Sequence, residues 1–197
     1  MSASNTNANN EPNNEPNNEP NNQIKNWSLK CEEALNLQIY TEYWASLQYH
    51  IMFAYFDRHT VGLRNIAEYF NKASLEEREH AHKFMHYQNQ RGGRVSYATT
   101  YDIDFDLKIQ ETESKSDVLY AFEKALEMEQ HVYEKLLELH TVADKNNDPQ
   151  FCDYIESEFL EEQITAIDDI NVIISKLKLI GNDGHGLWNF DATLLKN

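Results

Sequence analysis

Long stretches without helix breakers constrain this chain more than any other feature. Three of its four prolines fall before residue 21, and the whole sequence of 197 residues holds only 6 glycines. A turn-rich β fold needs Gly and Pro at short intervals, so the body is expected to form long helices. The breakers that do occur divide it cleanly. Arg91-Gly92-Gly93 closes one periodic segment, Asp148-Pro149 offers an N-cap and a first-turn proline, and Gly181-Asn182-Asp183-Gly184 closes another. The spacing predicts helices over 28–57, 63–91, 115–144 and 149–180, with a short fifth over 187–195. About twenty residues separate the second and third. Such a loop suits a crossover along a bundle that leaves those two helices parallel. The fold class is all-α: a four-helix bundle with a short C-terminal fifth helix.

Residues 1–26 differ in kind. EPNN occurs three times from Glu11, and Asn, Glu and Pro bury too little apolar surface to offset chain entropy. A disordered tail over 1–26 and a single bundle domain over 27–197 are expected. The N-terminus lacks the charged and apolar regions of a secretory leader, and no apolar run approaches the ~20 residues of a membrane span. Two widely spaced cysteines, Cys31 and Cys152, make no CxxC and suggest a reducing compartment. A cytoplasmic protein without a membrane partner is expected. The formal net charge of -16 argues against nucleic acid, whose phosphates require a basic face.

Each of the four long helices carries a polar interruption in its apolar stripe. The first helix carries Leu35, Ile39, Glu42, Ser46, Tyr49, Phe53 and Phe56 at alternating three- and four-residue spacing. The second carries Ile66, Phe70, Ala73, Glu77, His80, Phe84 and Tyr87; the third centres Glu129 between Ala125 and Val132. On the fourth, Gln163 lies between Phe159 and Ala166. One such interruption is commonly a solvated edge, but four, each near mid-helix, point to a shared buried site. Unpaired buried carboxylates cost several kcal/mol each and repel one another, so a cation is expected among them. Glu77 and His80 stand three apart on one face and can bind one metal together. Facing carboxylates with a Glu-x-x-His fit a di-metal centre in a bundle, and this oxygen-rich set suits iron or manganese better than structural zinc. Glu79, His82 and His86, and the pair Glu127 and His131, read first as surface.

Several stretches resemble the ferritin family, in particular its heavy-chain (H) type subunits: Glu76-Glu77-Arg78-Glu79-His80-Ala81, then Gln88-Asn89-Gln90-Arg91-Gly92-Gly93. Tyr55-Phe56-Asp57-Arg58, Leu136-Leu137-Glu138-Leu139-His140 and Leu160-Glu161-Glu162-Gln163 agree in order, so the likeness runs from about Trp27 to Leu195. It implies a ferritin-like four-helix bundle in a hollow cage of 24 subunits, alone or mixed with other ferritin subunits. It also implies a ferroxidase that oxidises Fe²⁺ with O₂ at a di-iron centre and deposits ferric mineral. Glu42, Glu77 and His80 would bind one iron. Glu77 would bridge to a second, completed by Glu129, with Gln163 assisting through water. Glu76 matches an alternative ligand and Tyr49 the tyrosine beside the centre. His140, Cys152, Asp153 and Glu156 match the entry channels, and Glu76 and Glu79 the mineral-nucleating face. The chain departs from the pattern in His82, which replaces a common acid, in the acidic stretch Tyr101–Asp106, and in an early end to the last helix. A peroxide reductase of the same bundle would want a second Glu-x-x-His. A non-catalytic cage subunit that relies on partner subunits for iron oxidation is the other alternative, and the intact ligand set speaks against it.

Overall fold

The computed structural model describes residues 27–97, 117–181 and 183–195. The expected tail and the acidic stretch between the second and third helices lie outside them. The described residues form α1 (Leu29–Phe56), α2 (Arg64–Gln90), α3 (Asp117–Lys145), α4 (Pro149–Ile155), a π-helical turn (Glu156–Leu160), α5 (Glu161–Ile180) and α6 (Gly184–Thr193). No described helix is long and apolar enough to cross a membrane. The expected fourth helix is thus one rod with a widened turn in it, and the last helix begins three residues earlier than its spacing suggested. That early start comes from Asp183, whose side chain caps the helix by accepting from the Gly186 amide at 2.7 Å.

Local chemistry explains several other boundaries. Ser28 caps α1 by accepting from the Cys31 amide at 3.1 Å. Asp148 caps α4 by accepting from the Phe151 amide at 3.1 Å, ahead of Pro149 in the first turn. Gly92 and Gly181 end α2 and α5 at φ 81° and 64°, the left-handed region that glycine enters without a Cβ clash.

Pairings along the rods set the topology. Ser46 on α1 donates to the Ser74 carbonyl on α2, and Tyr43 meets Met85, so these helices are antiparallel. Tyr55 near the end of α1 donates to Asp117 at the start of α3, while Trp44 meets His131 further along. Those helices too are antiparallel, so α2 and α3 run parallel, as the long connection implied. His140 pairs with Glu156 and Lys178 with Glu123, so the fourth rod returns antiparallel to α3. Aromatic layers fill both ends of the core. Phe56, Phe70 and Phe122 stack at one end, and Trp27, Tyr87, Phe151 and Tyr154 at the other. The interrupting polar residues lie between them.

Candidate metal centre

Glu42, Glu77, His80, Glu129 and Gln163 are all buried, at 1%, 4%, 6%, 4% and 4% exposure. Each occupies the apolar face of its helix, which packing turns inward. Ligand atoms of Glu42, Glu77 and His80 lie within 4.8 Å of one another. Gln38, one turn before Glu42, donates to Glu42 Oε1 at 2.7 Å. Tyr49, 1% exposed, donates to one oxygen of Glu129, and the Gln163 amide donates to the other and to the Glu129 carbonyl at 3.1 Å. His80 Nδ1 stands 3.4 Å from Glu77 Oε2, and its Nε2 stands 3.4 Å from Glu162 Oε1.

Glu42 Oε2 and Glu77 Oε2 are buried and meet no donor group, and the two carboxyls lie close enough to share a proton. Burial pushes the Glu42 carboxyl well above the ordinary range, reinforced by the charge of Glu77. Burial likewise raises Glu77 well above that range, with Glu129 adding repulsion. Glu129 is raised by burial too, against the opposing hydrogen bonds from Tyr49 and Gln163. Three clustered carboxylates, two with an orphaned oxygen, form a site that a divalent cation would complete. The donor set of carboxylates and one imidazole suits a hard or borderline cation such as Fe²⁺.

The sequence did not reveal three neighbours. Gln38 carried an available signal, since it lies four residues before Glu42 on the same face. Phe159 stood on the apolar stripe beside Gln163, but nothing in the spacing showed that its ring meets His80 edge-on at 5.7 Å, and Glu162 carried no signal. Their placement depends on the π turn. In this rod the buried residues Phe151, Ile155, Phe159 and Gln163 repeat every four residues. Steps of four drift by ~40° each on a 3.6-residue helix, and a wider turn absorbs part of that drift.

The other expected residues take varied positions. Glu76 and Glu79 are exposed outside the buried trio. Glu76 lines a cleft of ≈ 470 Å³ between α2 and α5, together with Glu162 and Asp169. His140 Nε2 and Glu156 Oε1 meet at 2.6 Å, and Asp153 is exposed one turn before Glu156. The Cys152 thiol is half-buried and raised by burial, then by Asp144 and Glu156. His82, Glu127 and His131 are exposed, as read.

An antiparallel helical bundle enclosing a carboxylate–histidine cluster defines a class, the helical-bundle carboxylate metal proteins. The ferritin-like domain family model matches residues 32–180, and the chain belongs to that family. Among its relatives, "Ferritin, chloroplastic" of Malus baccata var. xiaojinensis is 50% identical over 171 residues, 87% of this chain and 67% of that protein. "Ferritin-1, chloroplastic" of Brassica napus is 53% identical over 164 residues, 83% of this chain and 63% of that protein. "Ferritin-2, chloroplastic" of Zea mays is 51% identical over 166 residues, 84% of this chain and 65% of that protein. The chain thus spans about two thirds of these relatives' length. Their names correct the expectation of a cytoplasmic protein. Two unpaired cysteines are compatible with any reducing compartment, so they could not separate a plastid from the cytoplasm.

Proposed function

We propose that the chain is a heavy-chain-type ferritin subunit that stores iron, oxidising Fe²⁺ with O₂ inside its bundle and depositing ferric mineral in a cage of 24 copies. The observation that carries this reading is the pair of orphaned buried oxygens, Glu42 Oε2 and Glu77 Oε2, beside His80. Glu42, Glu77 and His80 hold one Fe²⁺. Glu77 and Glu129 hold a second, and Gln163 orders its water. Glu129 has both oxygens engaged by Tyr49 and Gln163, so a second ion would share them with those donors, whereas the first would meet Glu42 Oε2 and Glu77 Oε2, which no donor group occupies. The second ion is therefore held more loosely, which fits a site that passes its product on. Because burial raises these carboxyl pKa values, metal binding is expected to be accompanied by proton release. Anionic ligands then favour Fe³⁺ over Fe²⁺, because the added positive charge gains most from carboxylates.

Iron would enter beside His140, Cys152, Asp153 and Glu156, where exposed carboxylates attract cations, and would nucleate at Glu76 and Glu79. The relatives' names point to a plastid as the compartment. Aerobic Fe²⁺ oxidation by the metal-free protein, beside a Glu77→Ala, His80→Ala double variant, tests the reading. Rapid oxidation that falls by about a hundredfold or more in the variant supports it. Equal, slow rates would leave a cage subunit that depends on a partner for oxidation.

A further inference from the structure

A second cleft, of ≈ 210 Å³, opens between α1 and α3, away from the centre's ligand atoms. Trp44, Tyr120 and His131 supply ring walls, with the Trp44 and His131 rings edge to face at 5.7 Å. Two buried methionines, Met52 and Met128, line it as well, and unbranched thioethers adapt readily to flat apolar shapes. By the ~30 Å³ share of a liquid water, the space takes a molecule of one or two fused rings.

Gln48 makes this more than an apolar dent. It is 3% exposed, lines the cleft, and its Oε1 is buried without a hydrogen-bond partner. Such an orphaned acceptor calls for a donor. Lys124 already pairs with Glu127 at 2.5 Å and stands 5.9 Å from the Tyr120 ring centroid, so the cleft's one cation is committed. With Glu127 paired to Lys124, Gln48 Oε1 is the buried polar atom of the lining left without a partner, in a cleft whose other walls are aromatic faces and thioethers.

We propose that this cleft binds a planar aromatic molecule bearing an N–H donor, seated between the rings and donating to Gln48 Oε1 as the two methionines shift aside. The floor is continuous with the centre. Gln48 precedes Tyr49 and Met128 precedes Glu129, the hydrogen-bonded pair that faces the metal positions. An occupant therefore presses on the two backbone segments that place that pair. The cleft is a small-molecule site behind the centre, distinct from its ligand set and independent of whether the centre oxidises iron.

Calorimetric titration of the metal-free full chain with indole, and with indene, which has nearly the same shape but no N–H, tests this directly. Indole is expected to bind roughly fivefold more tightly than indene, the worth of one hydrogen bond to a neutral acceptor. Gln48→Leu is expected to erase that preference while indene binding persists, and Trp44→Ala to weaken both probes. Absence of indole binding, equal affinity for the two probes, or indole binding unchanged by Trp44→Ala would each overturn the assignment. If Gln48→Leu fails to fold by circular dichroism, the two-probe comparison on the unaltered chain still decides.

Discussion

Glu42 and Glu77 each hold one buried oxygen that meets no donor group, and burial together with neighbouring charge raises both pKa values. The folded-state value of Glu77 lies above its unfolded value of 4.5, so between the two the folded chain binds more protons than the unfolded one. Stability of the metal-free protein therefore falls as pH rises from the ordinary glutamate range through the raised value. Glu77→Gln is expected to stabilise the metal-free protein at pH 8 by on the order of 1–4 kcal/mol. That gain closes as pH drops toward 4.5, and thermal melts across that range check it; a difference independent of pH would refute the cause given. Tyr49→Phe acts in the opposite sense, because Glu129 loses the phenol that donates to it. A loss of about 1–3 kcal/mol in denaturant unfolding is expected. Glu42, Glu77, His80, Glu129 and Gln163 could be read from the sequence because a polar side chain in a heptad-like stripe stands out against apolar neighbours. Gln38 was less visible: glutamine is common on helices, and only its 2.7 Å bond to Glu42 separates it from the rest.

At the scale of elements, most boundaries follow from short-range rules, and one does not. Leu63 precedes α2 and offers no side-chain cap. The cap comes from α6: Asp191 Oδ1 accepts from the Ile66 amide at 2.9 Å and from the Asn65 amide at 3.1 Å. Asp191 is 8% exposed and 125 residues from Ile66, so no local pattern announces it. Asp191→Ala is expected to cost roughly 1–2 kcal/mol. Hydrogen exchange should show the loss at the start of α2 and throughout α6, and protection retained at both places would sink the idea. The π turn belongs to the same category. Its four-residue stripe is visible in sequence, but an unbroken helix with a drifting face and a helix with one widened turn share that stripe. Packing of Phe159 flat on Phe84, with ring centroids 3.9 Å apart, selects the second.

Across the whole molecule, a charge of -16 has to act through its placement. Asp153 and Glu156 are exposed one turn apart, Glu156 paired with His140, and the proposed entry route has these carboxylates attract Fe²⁺. Asp153→Asn with Glu156→Gln is expected to slow iron entry roughly tenfold at low ionic strength, with the difference shrinking in salt. Oxidation measured at saturating Fe²⁺ should stay unchanged. Stopped-flow absorbance at two salt concentrations reads both, and a salt-independent deficit would place the fault elsewhere.

The sequence by itself determined the helical class, the antiparallel order with its parallel second and third helices, and five of the polar residues of the centre. These features follow from near-neighbour physics: breaker positions, 3.6-residue periodicity, caps and loop length act within a few residues of one another. Only the tertiary structure decided which oxygens lack partners, how Tyr49 and Gln163 hold Glu129, why α2 starts where it does, and that Gln48 lines a second cleft. Those are contacts between segments tens of residues apart. Their energies depend on distances that close packing fixes to tenths of an ångström, and no spacing along the chain encodes them.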